Sequence, residues 1–231
     1  PDAQGLATFR LDGSGSFSKP SGTGSGRIED LAWGGARVGT TESQVTARAG
    51  RVDVSFDAPD VNATGSARLE RGTLRLTANL SETPLSVLRP VASPDRPLEG
   101  QATGTVTATV PLSRPSAARI EARLEGLDVT SGTFTARATH PFTLTAQNQG
   151  VSVEDLALVG PGFAFQGSGR FGTAPGAPLE ARGEVDLELD KIKAHGVDVG
   201  ELIERLQNAS SNMVLGQVTD SGLRYAARAL G

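Results

Sequence analysis

Apolar and polar residues alternate along most of this chain, and this period of two constrains its fold more than any other feature. Successive side chains of a β-strand point to opposite faces, so an alternating segment is typical of a half-buried strand. Clear examples are Val52-Asp53-Val54-Ser55-Phe56, Val106-Thr107-Ala108-Thr109-Val110, Ile120-Glu121-Ala122-Arg123-Leu124 and Val185-Asp186-Leu187-Glu188-Leu189. The alternation predicts a sheet with one apolar face and one wet face.

Short junctions rich in Gly, Pro and Asn separate the alternating segments, and such junctions favour hairpins. Examples are Ala58-Pro59-Asp60, Gln147-Asn148-Gln149-Gly150 and Val159-Gly160-Pro161-Gly162. Glycine inside strands is destabilising unless the sheet bends or bulges there, and 29 of the 231 residues are glycine. We therefore expect an all-β fold: a long, curled, antiparallel sheet that runs as one continuous unit through residues 1–231.

Two segments interrupt this pattern and predict one or two short helices. Pro84-Leu85-Ser86-Val87-Leu88 has helical spacing, with Thr83 as the cap and Pro84 in the first turn. Residues 199–207 place Leu202, Ile203 and Leu206 on one side of an amphipathic helix. Its polar side is acidic, which favours packing over an open end of the sheet above docking on a membrane. We therefore expect residues 196–231 to form a helix-containing end.

Composition excludes several classes of protein. The chain has no Cys, so disulfides, Cys-based zinc sites and thiol catalysis are ruled out. The net charge is −4, and the charged residues are spread along the chain. The chain therefore lacks the cluster of basic residues that binding to a nucleic-acid backbone requires. No apolar run is long enough to span a membrane, and the start at Pro1 has no signal-peptide pattern, so we expect a segment of a longer protein.

Several motifs match the spacing of cofactor-binding, metal-binding or catalytic sites, but they lack the neighbouring elements or partner residues that such sites need. Residues 167–172 match the Gly-x-Gly-x-x-Gly spacing, but a Pro-rich stretch follows where a phosphate-binding loop requires a helix. His140 and His195 stand far apart, without a second ligand or a paired carboxylate nearby. Asp186, Glu188 and Asp190 alternate with apolar residues, which is typical of a solvated outer face. We therefore expect no enzyme activity, cofactor or metal.

A family resemblance lies in the order of several motifs, and it is best from about residue 60 to 195. A short helix precedes a Leu-x-Gly-x-Ala-x-Gly strand, later strands carry Leu-x-Leu, and a Phe-x-Gly-x-Gly-x-Phe strand ends the unit. In this chain these are Thr83 to Leu88, Leu98 to Gly104, Leu156 to Leu158, and Phe165 to Phe171. This arrangement resembles the translocation and assembly module TamB family and, more widely, AsmA-like proteins.

The resemblance implies a taco-shaped sheet in the periplasm of a bacterial envelope, anchored to the inner membrane through a segment absent from this chain. Its concave apolar face would shield lipid acyl chains during phospholipid transport between the inner and outer membranes, in support of outer-membrane biogenesis. An outer-membrane barrel assembly protein would contact other parts of the full-length protein.

An apolar sheet face must be covered by a second sheet, by helices, by closure or by a ligand. With few helices in prospect, we expect a groove that binds phospholipid or other amphiphile acyl chains. The alternative is a structural or adhesive β-sandwich or β-helix module, in which protein covers the same residues. The expected groove residues are the apolar members of alternating strands: Leu74, Leu76, Ile120, Leu124, Leu156, Leu158, Phe163, Phe165, Leu187 and Leu189.

Overall fold

In a computed structural model the described residues of the chain form one sheet of fifteen strands. The structure describes residues 3–16, 19–33, 36–88, 98–132, 134–148, 150–172, 179–188, 214–220 and 223–226. The strands are β1 (Ala3–Ser16), β2 (Lys19–Trp33), β3 (Ala36–Arg48), β4 (Arg51–Ala58), β5 (Ala63–Glu70), β6 (Thr73–Pro84), β7 (Glu99–Pro111), β8 (Arg119–Ser131), β9 (Phe134–Ala138), β10 (Phe142–Gln147), β11 (Gly150–Gly160), β12 (Phe163–Gly172), β13 (Leu179–Glu188), β14 (Val214–Asp220) and β15 (Leu223–Ala226).

Strands that follow one another in sequence are also neighbours in the sheet. The order runs from β1 to β15, and β9 and β10 occupy successive parts of the space between β8 and β11. All pairs are antiparallel except β13 with β14, which is parallel. The predicted all-β, curled and mainly antiparallel sheet is therefore confirmed.

The helical elements among the described residues are 3-10 helices at Pro59–Val61, Leu85–Leu88 and Pro115–Ala117. The first predicted helix is thus one 3-10 turn, and Pro84 belongs to the end of β6. The second, at residues 199–207, lies outside the described residues. No helix in the described part of the chain is long and apolar enough to cross a membrane. The division into a continuous unit and a distinct end at 196–231 stays a prediction.

Tight turns explain why adjacent strands pair in sequence order. Ala49 and Gly50 both have positive φ, and so do Arg71 and Gly72. Each pair joins two strands as a two-residue loop. Positive φ at both central residues defines a type I′ turn, whose twist matches that of the flanking strands. The predicted junctions also lie between strands, at residues 59–62, 148–149 and 161–162.

A series of β-bulges bends the sheet. The pairing register shifts between Ile28 and Leu31, between Leu80 and Thr83, between Thr103 and Gly104, and between Val153 and Leu156. Three of these bulges contain an acidic residue at positive φ: Asp30, Glu82 and Asp155. A bulge bends its strand and increases the local twist. Because bulges recur from β2 to β11, the sheet curls instead of remaining flat.

Few side chains are fully buried, since one sheet offers little interior. The main core is a cluster of Leu85, Ala102, Leu124 and Phe142, which we call the closed cluster. It joins the 3-10 helix at Leu85–Leu88 to strands β7, β8 and β10. Leu80, Leu127 and Leu144, among others, pack around it half-buried. The closed cluster therefore lies on the middle strands of the sheet.

Candidate functional site

The pairing register divides the sheet into two faces, because residues directly opposite each other on paired strands point to the same side. Three rows of such residues define the apolar face. The first row crosses ten strands and contains Leu11, Gly24, Val45, Val54, Ala67, Leu76, Ala108, Ile120, Ala146 and Val151. The rows on either side contain Phe9, Gly26, Ser43, Phe56, Gly65, Ala78, Val106, Ala122, Leu144 and Val153, and Gly13, Gly22, Ala47, Val52, Leu69, Leu74 and Val110.

The opposite side of the same strands is the polar face. Its central row contains Arg10, Ser25, Gln44, Ser55, Ser66, Thr77, Thr107, Glu121, Thr145 and Ser152. Every member of this row is polar or charged, whereas every member of the first apolar row is apolar or glycine. In these two central rows, polar and apolar residues are thus completely separated between the two faces of the sheet.

Hydrogen-bonding groups are almost absent from the three apolar rows. Ser43 is the one polar side chain in them, and its Oγ donates to the Gly26 carbonyl at 3.3 Å. Next to these rows, Thr41 lies opposite Ile28, and its hydroxyl is buried with no hydrogen-bond partner among the described residues. The apolar rows therefore offer a ligand contact area but no specific polar anchor.

The register places eight of the ten expected groove residues on the apolar face, and a ninth, Leu187, pairs with Phe163 through its backbone. Leu74, Leu76 and Ile120 belong to the rows above. Further along, Leu158 lies opposite Phe165, and Phe163 lies opposite Leu187. Leu156 lies opposite Gly167, two residues from Leu158 on the same strand. Leu124 is four residues from Ile120 on β8, while Leu189 lies outside the described residues.

These residues do not share one environment. Ile120 is 42% exposed, whereas Leu124 is 7% exposed and belongs to the closed cluster with Leu85 and Phe142. Leu74, Leu76, Leu158 and Phe165 are half-buried. The apolar face therefore has a covered part, around Leu124, and an open part, around Ile120. Leu124 contacts protein side chains, so the open part is the candidate binding site.

Phenylalanine rings lie over glycines of the neighbouring strand on this face. A Cβ added to Gly26 would come within 2.7 Å of the Phe9 ring, and one added to Gly183 would come within 2.8 Å of the Phe165 ring. Phe56 covers Gly65 in the same way. A side chain at these glycines would push the rings away from the sheet. The glycines therefore allow the rings to lie flat against the neighbouring strand. Sequence alone did not show this, since the partners are up to 18 residues apart across strands.

Several apolar-face residues were not among the expected groove residues. Phe9 and Leu11 on β1 are 62% and 72% exposed, and Val45, Val54, Val106 and Val151 lie in the rows. Val54 and Val106 belong to alternating segments like those that identified Leu74 and Ile120. The same alternation could therefore have identified them.

Charged side chains pair with one another on the polar face. Asp53 accepts hydrogen bonds from Arg51 Nε at 2.7 Å and from Arg68 Nε at 2.6 Å. The hydrogen bond from Arg68 lowers the pKa of the Asp53 carboxyl below its ordinary 3.8; desolvation opposes this change and the charge of Arg51 adds to it. Arg27 likewise contacts Glu29 and Glu42, each at 2.9 Å. Exposed pairs of this kind stabilise a sheet only slightly.

Acid should remove the contribution of Asp53 to stability. Its pKa is lower in the folded chain than in the unfolded chain, so the ionised carboxylate favours folding above about pH 4. That contribution is lost as the pH falls through the lowered pKa. We expect Asp53→Asn to lower the urea midpoint at neutral pH, with the difference from the unsubstituted chain shrinking near about pH 2. An equal difference at both pH values would contradict this assignment.

A shallow depression of about 500 Å³ lies on the polar face between β1 and β4. Its lining includes Arg10, Arg27, Glu42, Ser55 and Asp57. Arg27 and Glu42 form an ion pair with each other, so their charges are already neutralised and offer less to a charged ligand. This depression is therefore a weaker candidate than the apolar face.

In the described residues, the motifs that resemble catalytic or cofactor-binding sequences are not surrounded by the groups that such sites need. Residues 167–172 lie within β12, so the Gly-x-Gly-x-x-Gly match is a strand. His140 lies in the break between β9 and β10, where its Nδ1 is 3.0 Å from the Pro141 carbonyl oxygen. Across the described ranges, no group of three or more His, Asp and Glu side chains is placed to hold a metal ion. His195 and Asp190 lie outside those ranges.

Fold and faces together define an all-β protein with a single curled sheet, one of whose faces is apolar and partly open. No family model matches this chain, and comparison with curated proteins and with solved structures finds no significant similarity. The resemblance to the TamB and AsmA-like families therefore stays a prediction.

Proposed function

We propose that the open part of the apolar face shields the acyl chains of phospholipids or other amphiphiles. The observation that carries this proposal is the composition of the three rows: aliphatic, aromatic and glycine residues with one hydroxyl, which is already bonded. A peptide or sugar would leave its own polar groups without partners on such a surface, and each would lose roughly 1–3 kcal/mol. An acyl chain has no such groups and is the occupant that fits.

The energy available is large enough to hold a lipid out of water. Burying one methylene is worth about 0.8 kcal/mol, so a chain of about 16 carbons gains on the order of 10 kcal/mol as an upper figure. The first row crosses ten strands, which at about 4.8 Å per strand gives a continuous apolar surface of about 43 Å. A chain on this surface would meet similar contacts at each strand, which favours sliding over fixation at one place.

The cellular setting follows from the same proposal. A protein that shields acyl chains between two membranes would lie in the periplasm of a bacterial envelope and serve phospholipid transport to the outer membrane, as the family resemblance implies. Its inner-membrane anchor and any contact with an outer-membrane barrel assembly protein would belong to other parts of a longer chain. In this role the protein has no enzymatic activity and needs no cofactor.

The open face also bears on the alternative, a closed structural or adhesive module. Half-buried residues such as Leu76 and Val54 would pack against a second sheet in a sandwich. Among the residues that the structure describes, there is one sheet and no second layer. This arrangement favours a ligand-covered face over a sandwich core.

Site-specific photo-cross-linking in cells tests the proposal. Ile120 and Glu121 are adjacent on β8 and point to opposite faces. A cross-linker in place of Ile120 should capture phospholipid or another amphiphile, whereas one in place of Glu121 should not. Mass spectrometry of organic extracts then identifies the adduct. Equal capture from both positions would indicate nonspecific surface contact, and no capture from either would favour the structural or adhesive module.

A further inference from the structure

Arginines are concentrated along one rim of the sheet, where the β3–β4, β5–β6 and β7–β8 connections lie. These connections and the strand ends beside them, residues 47–52, 69–74 and 110–120, contain five arginines and one acidic residue, Glu70. All five arginines are exposed, and we call them the basic rim: Arg48, Arg51, Arg71, Arg114 and Arg119. In sequence they are spread from position 48 to position 119, and only strand pairing brings them to one rim. The rim belongs to middle strands, so it does not depend on where the sheet begins or ends.

The opposite ends of the same strands have the reverse charge. The end of β4 and its connection to β5 carry Asp57 and Asp60 and no basic residue. Glu82 lies in the bulge near the end of β6, and Glu99 begins β7. In the described part of the chain, Arg37 is the one basic residue at these ends of β3 to β8. The apolar face of these strands therefore lies between a basic rim and an acidic rim.

Three arginines of the basic rim are available to a ligand. The side chains of Arg48, Arg71 and Arg114 form no ion pair with any residue that the structure describes. Arg51 and Arg119 instead contact acidic residues of their own strands, at 2.7 and 3.1 Å. A guanidinium is always charged, and its fork of N–H donors matches the oxygens of a phosphate. The basic rim is therefore suited to a phosphate group.

The connections stand next to one another along the rim. The Leu112 N–H donates to the Gly72 carbonyl at 2.8 Å, which joins the β7–β8 loop to the β5–β6 turn. Consecutive connections are two strands apart, which is about 10 Å at about 4.8 Å per strand. A charge midway between two of them is about 5 Å from each, within the Debye length of about 8 Å at physiological ionic strength. An anion would therefore stay attracted to the rim as it moves from one connection to the next.

The open part of the apolar face adjoins this basic rim. Ile120 directly follows Arg119, and Leu69, Leu74 and Val110 in the row nearest the rim are half-buried. The buried residues of β3 to β8 lie beyond the first apolar row, on the side away from the basic rim: Ala36, Gly39, Ala58, Thr83, Ala102, Gly104 and Leu124. A ligand on the open part would therefore have the basic rim at one end and the closed cluster at the other.

We propose that the basic rim binds the phosphate of an anionic phospholipid whose acyl chains run along the strands on the open apolar face. This inference rests on the proposed function and adds the headgroup class and the orientation of the lipid. Along β7, Pro111 at the rim is seven residues from Gly104, which lies opposite Leu124 of the closed cluster. Seven residues span about 23 Å at about 3.3 Å per residue. The acyl chains of one bilayer leaflet span about 15 Å, half of a core of about 30 Å, so they fit in this length.

Lipids that are monomeric in water test the headgroup preference without a membrane surface. Isothermal titration calorimetry should show dioctanoylphosphatidylglycerol binding at least about tenfold more tightly than dioctanoylphosphatidylcholine. The two lipids have the same acyl chains, but choline adds a positive charge that the arginines repel. Raising the salt concentration should weaken binding of the phosphatidylglycerol and leave that of the phosphatidylcholine nearly unchanged, because salt screens exposed charges.

A triple variant locates the preference on the rim. Arg48→Gln, Arg71→Gln and Arg114→Gln together should abolish it, while the affinity for the phosphatidylcholine stays within about twofold. The matched control replaces three exposed arginines elsewhere, with the same change in net charge: Arg10→Gln, Arg37→Gln and Arg123→Gln. This control should keep the full preference for phosphatidylglycerol.

The outcomes separate this inference from the proposed function. Equal affinity for the two lipids, or equal losses in the triple variant and its control, would overturn the headgroup assignment and leave acyl-chain binding intact. Binding of neither lipid would overturn both. Glycerophosphoglycerol, the headgroup without acyl chains, should bind far more weakly than the lipid, and equal binding would mean a phosphate site unconnected with the apolar face. Binding to phosphatidylglycerol vesicles but not to the monomeric lipid would assign the rim to a membrane surface. Either of these last two results would also overturn the inference.

Discussion

Leu124→Asp is expected to destabilise this protein by at least about 4 kcal/mol, whereas Ile120→Asp should cost less than about 1 kcal/mol. The two residues lie on the same face of the same strand. Leu124 is 7% exposed, so a carboxylate there would be buried among Leu85, Ala102 and Phe142 without a partner. At Ile120, which is 42% exposed, the carboxylate can reach water.

Urea unfolding of the two variants, followed by circular dichroism, measures this difference. Ile120→Ala serves as the control for lost apolar area without an added charge. A similarly large loss from Ile120→Asp would mean that the open part of the face is a closed core, and the structural or adhesive alternative would then gain. The comparison therefore bears on function as well as on folding.

Gly104→Ala is expected to cost about 2–4 kcal/mol, although it adds only one methyl group. Gly104 has φ of +154° at the bulge between β7 and β8, a conformation that L-residues rarely adopt. A Cβ there would meet the Arg123 carbonyl oxygen and would lie 2.8 Å from the Leu124 Cα. Both contacts are backbone atoms, which cannot move aside as a flexible side chain can.

Gly126→Ala is the matched control because Gly126 lies on the facing strand near the same bulge. A Cβ at Gly126 has one neighbour, the Thr103 Cβ at 3.8 Å, which is an ordinary contact. Alanine in a strand interior is favoured over glycine by up to about 1 kcal/mol, so this variant should be as stable as the unsubstituted chain or slightly more stable. Equal losses at both positions, measured from urea midpoints, would show that the bulge geometry is not what requires glycine at position 104.

The Leu124 and Ile120 variants, together with the Gly104 and Gly126 variants, test which parts of the sheet stabilise the fold and which part is free to bind a ligand. The closed cluster anchors the middle strands, and the bulge at Gly104 brings β7 and β8 together beside it. On these expectations the open part of the face around Ile120 contributes less to stability than the closed cluster does, and its apolar residues are available to a ligand. Under the proposed function, Ile120→Arg should impair outer-membrane integrity in cells without lowering protein abundance, whereas Leu124→Arg should lower abundance.

The sequence by itself determined the strand character and the two faces. Alternation is a local property, because neighbouring side chains of an extended strand must point to opposite sides whatever the strand pairs with. Leu74, Leu76 and Ile120 could therefore be assigned to the apolar face from their neighbours alone. Junctions such as Pro161-Gly162 were likewise recognisable, since turn residues act through their own backbone conformations.

Tertiary structure decided the rest, because pairing register and coverage depend on residues far apart in the chain. Leu124 and Ile120 have the same local pattern, yet packing of Leu85 and Phe142 buries one and leaves the other open. The covering of Gly26 by Phe9 and of Gly65 by Phe56 depends on which strands pair and in which register. Alternation assigns a residue to a face, but only the packing of distant segments decides which part of that face remains open.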